Sequence, residues 1–138
     1  MSDQNKAIVL RIYSEILNQG NLDLAEAVLA ADLVDHYPHP GIKPGRENIK
    51  QGVLARRAAF PDLHFTVDDL LADADRVIAR WTMRGTHRGA FSGIPPTGRS
   101  VVWTGITIFR FADGKVVERW LSADDLGLLR QLDATPTT

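Results

Sequence analysis

The spacing of apolar residues changes once along this chain, near residue 60, and that change limits the folds open to it. Before it, apolar residues recur every third or fourth position; from His64 onward they recur every second. The first pattern predicts helices with one buried stripe, the second strands with one buried face. Residues 3–19 read as a helix, with Ile8, Val9, Ile12, Tyr13 and Ile16 on its apolar side and Gly20 ending it. A second helix is predicted over 22–31 and an extended piece over Asp32–Tyr37. Pro38, Pro40 and Pro44 then impose a loop, because each removes a backbone donor and restricts the residue before it. A third helix over 46–59 sets Ile49, Val53 and Phe60 on one side, and Pro61 stops it.

Strands are predicted at 64–71, 76–87, 100–111 and 115–121. Asp113-Gly114 between FRFA and KVVERW is a hairpin signal, and a tight turn is expected at Asp73–Asp75. The segment 88–99, rich in Gly and Pro, reads as a longer loop, and a last helix is expected at about 123–132. Helices followed by an antiparallel sheet and a final helix make an α+β fold. A long twisted sheet backed by helices curls into a cone whose mouth is a natural ligand site. Residues 1–132 are expected to form this single domain and 133–138 a frayed tail.

With 138 residues, 44% of them apolar, one domain can bury a core without staples. There is no cysteine, which excludes disulfides, thiolate zinc sites and cysteine nucleophiles and fits the cytoplasm. Sixteen basic and seventeen acidic residues are interspersed, with a formal net charge of −1 and no basic face of the kind nucleic acids require. No apolar run approaches the roughly 20 residues of a membrane span, and the N-terminus lacks the pattern of a signal peptide.

Alternation selects wall residues for the cone. One face of the second strand carries Val77, Ala79, Trp81 and Met83, one face of the third Val101, Trp103, Gly105, Thr107 and Phe109, and one face of the fourth Val116, Glu118 and Trp120. The three tryptophans can line a cavity for a flat ligand, or be ordinary core. Tyr13 faces the sheet and can offer a hydroxyl. Asp35 and His36 are neighbours on an extended piece, so they face opposite ways. His36 and His39 form an H-x-x-H pair, but the spacing is not helical and proline interrupts it, so no metal site is expected. Ser122-Ala123-Asp124-Asp125 reads as a capping box with Ser122 as N-cap and Asp125 at its third helical position.

The stretch from Phe60 to Trp120, with its ordered FPD, RWT-x-x-GTH, GIPPTG, FRFADGK and ERW, closely resembles the SnoaL-like polyketide cyclases, or ester cyclases, of the nuclear transport factor 2-like superfamily. LVDHYP at 33–38 and LGLLRQL at 126–132 extend the resemblance to nearly the whole chain. The resemblance implies a cone with an apolar pocket, a small hydrophobic, polyketide-like substrate, aldol-type acid/base chemistry without a cofactor, and a homodimer paired through the open sheet face. It implies that Asp124, four residues after Trp120, is the catalytic acid/base, with His36 as its helper. Tyr13, Trp81, Met83, Trp103, Thr107 and Trp120 would then line the substrate site. Thr107 departs from the family, which often has a histidine there, and a threonine does not titrate near neutrality. Two other readings stand beside this one. One is a protein that binds a small hydrophobic ligand without turnover. The other is an epoxide hydrolase-like enzyme in which Asp124 and Arg80 activate water.

Overall fold

A computed structural model describes residues 2–38, 41 and 43–133. Helix α1 (Ser2–Arg11) runs on into a π-helical segment, Ile12–Leu17, in which the Asn18 N–H reaches back five residues to the Tyr13 carbonyl at 3.0 Å. Widening the turn there presents Ile12, Tyr13 and Ile16 together to the sheet, and all three are buried. Gly20, at φ +74°, ends the segment. Helix α2 (Leu22–Val28) is capped by Asn21, whose side chain accepts the Leu24 N–H at 3.3 Å. Helix α3 (Arg46–Ala59) buries Ile49 and Val53, and α4 (Asp125–Gln131) buries Leu128.

The sheet has five strands in the order β1-β5-β4-β3-β2, formed by β1 (Leu29–Asp35), β2 (His64–Asp73), β3 (Arg76–Thr86), β4 (Ser100–Ala112) and β5 (Lys115–Ala123). The fold is mixed α+β, with helices against one face of a curved, unclosed sheet. Two expectations need correcting. The second helix stops at Val28, and the chain continues directly into β1, three residues earlier than the extended piece was predicted. This strand pairs parallel to β5, so the sheet is mixed and not purely antiparallel. Parallel pairing was hidden because the two partners lie more than eighty residues apart, as Asp35 and Arg119 show.

The hairpin turns fall where turn chemistry placed them. Asp113 and Gly114 both have positive φ, the primed geometry that matches strand twist. The β2–β3 turn passes through Ala74-Asp75, with Ala74 at φ 55°. The β3–β4 connection folds back through a tight Phe91–Ile94 turn and is fastened to the end of α3 by the Arg88 and Gly89 N–H groups, both bonded to the Ala59 carbonyl. His87 holds its far side. Its buried Nδ1 accepts the Thr97 N–H at 3.2 Å. The core lies between the helices and the concave face, where Phe65, Trp81, Trp103 and Phe109 are all buried. Burying each such side chain contributes roughly 1.5–3 kcal/mol. Among the described residues no helix is long and apolar enough to cross a membrane.

Candidate active site

The concave face and the helices enclose an inner cavity of ≈ 30 Å³, room for about two waters. Trp81 from β3, Trp103 and Thr107 from β4, and Tyr13 from the segment Ile12–Leu17 line it. Trp81 and Trp103 meet edge to face at 4.9 Å, and the Trp81 indole N–H donates to the Thr107 hydroxyl at 3.0 Å. In place of a titrating partner, Thr107 therefore supplies a buried acceptor. Burial pushes the Tyr13 phenol up to about 12. Met83 is fully buried on the same face but packs in the core away from the cavity wall.

β5 departs from simple alternation. Val116 pairs with Phe111 and Glu118 with Arg110, leaving Val117 as an extra residue in a β-bulge. The bulge reverses the parity of everything after it. Arg119 and Leu121 consequently line the cavity, while Glu118 and Trp120 lie on the convex face. Trp120 is thus not a pocket residue. It stacks on His36 at 5.0 Å and lies under the Arg76 guanidinium. His36 is exposed and bonds Glu118 at 2.7 Å, which places it outside the cavity too. His39 lies outside the described residues. Asp35 points inward instead, with a side chain only 2% exposed. It receives Arg119 through Nε at 3.1 Å and Nη2 at 2.7 Å, and its Oδ1 also accepts the Tyr37 N–H.

Asp124 also sits outside the cavity. It is exposed, and it, not Ser122, is the N-cap of α4, with its Oδ1 accepting the Gly127 N–H at 2.9 Å. It shares a shallow depression on the convex face with Arg80, whose charge is taken up by Asp69 at 2.6 Å. The neighbouring Asp125 turns the other way. Its Oδ1 accepts the Trp103 indole N–H at 3.2 Å and its Oδ2 accepts the Tyr37 hydroxyl. Burial and this carboxylate together push the Tyr37 phenol up to about 12.

Tyr37, Asp125, Trp103, Phe91 and Leu128 surround a mouth pocket of ≈ 300 Å³, at the lower end of the size range of small-molecule sites. Arg56 from α3 lines both the mouth and the inner cavity. Its guanidinium lies over the Trp103 ring at 5.0 Å. Burial and the nearby Arg119 push it down to about 10. The sequence signal for Arg56 was its position: it falls on the stripe of Ile49, Val53 and Phe60, a charged residue where the helix should be apolar. Asp125 had no comparable signal beside its neighbour. Among the described residues no cluster of His, Asp or Glu could hold a metal ion.

Comparison with known proteins agrees with this fold. The profile of the SnoaL-like polyketide cyclases matches residues 7–132. Among solved structures, TsrD from Streptomyces laurentii superposes with a TM-score of 0.89 at 28% identity, covering 98% of each chain. IdmH from Streptomyces antibioticus, a candidate polyketide cyclase, is 34% identical with a TM-score of 0.82, over 94% of this chain and 99% of its own. AclR from Streptomyces galilaeus, a candidate hydroxylase, is 32% identical with a TM-score of 0.84, over 100% and 90%. No curated protein matches the chain. By the extent of the family match, the chain belongs to the SnoaL-like polyketide cyclases.

Proposed function

We propose that the protein is a cofactor-independent enzyme that performs acid/base chemistry on a small, polyketide-like carbonyl compound, with Asp125 as the base. The observation that carries this is the Asp125 carboxylate at the aromatic mouth, oriented by Tyr37 and Trp103. In an aldol-type closure, Asp125 removes the proton alpha to a carbonyl, and the C–H electron pair becomes an enolate. The enolate carbon attacks a second carbonyl in the same molecule, and the new alkoxide recovers the proton. Once Asp125 holds that proton, the Tyr37 O–H, which otherwise donates to the Asp125 carboxylate, is released to donate to the developing negative oxygen, and its raised pKa keeps it protonated. Asp124 and His36 are left without a direct part, since both carboxylate and imidazole face away from the mouth.

The inner cavity holds only water-sized groups, so the substrate's body occupies the mouth and only a small group reaches inside. A homodimer joined through the convex face fits the exposed Val102 and Ile106 there.

The test uses a probe that needs no knowledge of the natural substrate. Exchange of the α-protons of 2-acetonaphthone in D2O, followed by NMR, should be accelerated by the protein. Asp125→Asn should reduce that acceleration by about 10²–10⁴-fold with the melting temperature little changed. Near-normal exchange by a folded D125N would reject Asp125 as the base.

A further inference from the structure

Arg56 is an anomaly in the charge arrangement of this protein. The other well-covered arginines are matched: Arg119 by Asp35, Arg46 by Glu26, and Arg57 by the carbonyls of Leu17 and Asn18. Arg56 has no ion pair among the described residues, and its Nε is buried without a hydrogen-bond partner. Arg46 shares the unpartnered Nε, but its terminal nitrogens reach Glu26 and the Leu29 carbonyl. Asp125, a carboxylate whose charge Arg56 feels, is not within ion-pair distance and is already held by Tyr37 and Trp103.

Arg56 is half-buried with its Nε fully covered; a cation drawn partly out of water without a counter-charge is disfavoured, and natural folds seldom keep one without a use. The Trp103 ring covers one face of the guanidinium, which leaves its N–H edges unmet. Arg56 and Trp103 line both the mouth pocket and the inner cavity, so the guanidinium stands between the two spaces. The mouth offers flat apolar walls in Phe91, Trp103 and Leu128. An oxygen anion on a molecule with a flat apolar body has the shape and charge to meet those edges.

We propose that Arg56 is a recognition group for ionised oxygen, selecting conjugated small molecules that carry a carboxylate or the enolate of a 1,3-dicarbonyl and seating that oxygen at the neck between mouth and cavity. This rests on the mouth being the substrate site, and it narrows the substrate class from carbonyl compounds in general to acidic ones. Arg56 is not assigned the proton transfer. It holds the molecule by its ionised oxygen, while Asp125 takes the proton alpha to a separate, neutral carbonyl of the same molecule.

Calorimetric titration with 2-naphthoate and with its neutral counterpart 2-naphthamide tests the proposal. The wild-type protein should bind the acid at least about ten-fold more tightly than the amide, the gain expected of one charge-assisted contact. Arg56→Gln should bind the two alike, and Arg56→Lys should restore part of the preference. Because R56Q removes a half-buried charge without a partner, its melting temperature should equal or exceed that of wild type. An arginine kept only for packing would instead lower it. Asp125→Asn should keep the preference for the acid while losing α-proton exchange, which separates failure of this proposal from failure of the catalytic one. Equal affinities for acid and amide in wild type, no detectable binding of the acid, or an undiminished preference in R56Q would overturn it.

Discussion

Asp124 and Asp125 share a composition, a neighbourhood and a helix terminus, yet they face opposite sides of the sheet. The Asp124 N–H bonds the Thr104 carbonyl at 2.9 Å, closing the ladder between β5 and β4, and its carboxylate turns back to cap α4. Asp125 is the first residue of the helix, and its side chain falls over Trp103. The division of labour is testable. Asp124→Ala should cost about 1 kcal/mol of stability through loss of the cap, read as a shift in urea midpoint, with α-proton exchange per folded molecule unchanged. A large loss of exchange in D124A would return the catalytic role to Asp124. At this scale the sequence showed that a carboxylate stood at the helix start, but not which of the two faced inward. That depends on the backbone direction at the end of β5.

Among the elements, β5 and the first helix carry the departures that matter. The Val117 bulge moves Arg119 inward and Trp120 outward. Alternation counted through it therefore places both on the wrong face, and the buried Asp35–Arg119 pair escapes notice. Bulges leave little trace in a strand of Lys115-Val116-Val117-Glu118, where either valine can be the buried one. β4 shows the opposite case. Gly105 lies opposite Trp81 in the β3–β4 register, and a β-carbon there would overlap the indole ring. Gly105→Ala should displace Trp81, destabilise the protein by about 1–3 kcal/mol and alter its near-UV circular dichroism. An unchanged tryptophan signal at full stability would show that the ring is free to move. Alternation places Gly105 on the inward face, and the close approach of the Trp81 ring is why a glycine stands there.

For the whole molecule, the open sheet presents a convex face whose exposed residues include Val102, Ile106 and Leu71, at 38%, 47% and 63%. A second copy covering that face would account for a patch that solvent would otherwise meet. Sedimentation velocity should find the wild type as a dimer and Ile106→Glu as a monomer, with α-proton exchange lowered by no more than a few-fold, because the mouth opens on the other side of the sheet. A wild type that sediments as a monomer would reject the pairing. The same two-sidedness explains the errors over His36 and Trp120: both are aromatic and near the mouth in sequence, but the sheet stands between them and the cavity.

By itself the sequence determined the order of helices and strands, the hairpin turns, the inward residues of β3 and β4, and the family. These depend on a residue and its near neighbours, which periodicity and turn chemistry record. Tertiary structure alone decided that β1 pairs parallel to β5, that a bulge turns Arg119 inward to meet Asp35, and that Asp125, Tyr37 and Arg56 converge on one mouth. Each of those outcomes joins residues far apart in the chain, and a single-residue change of register is enough to send a side chain to the opposite face.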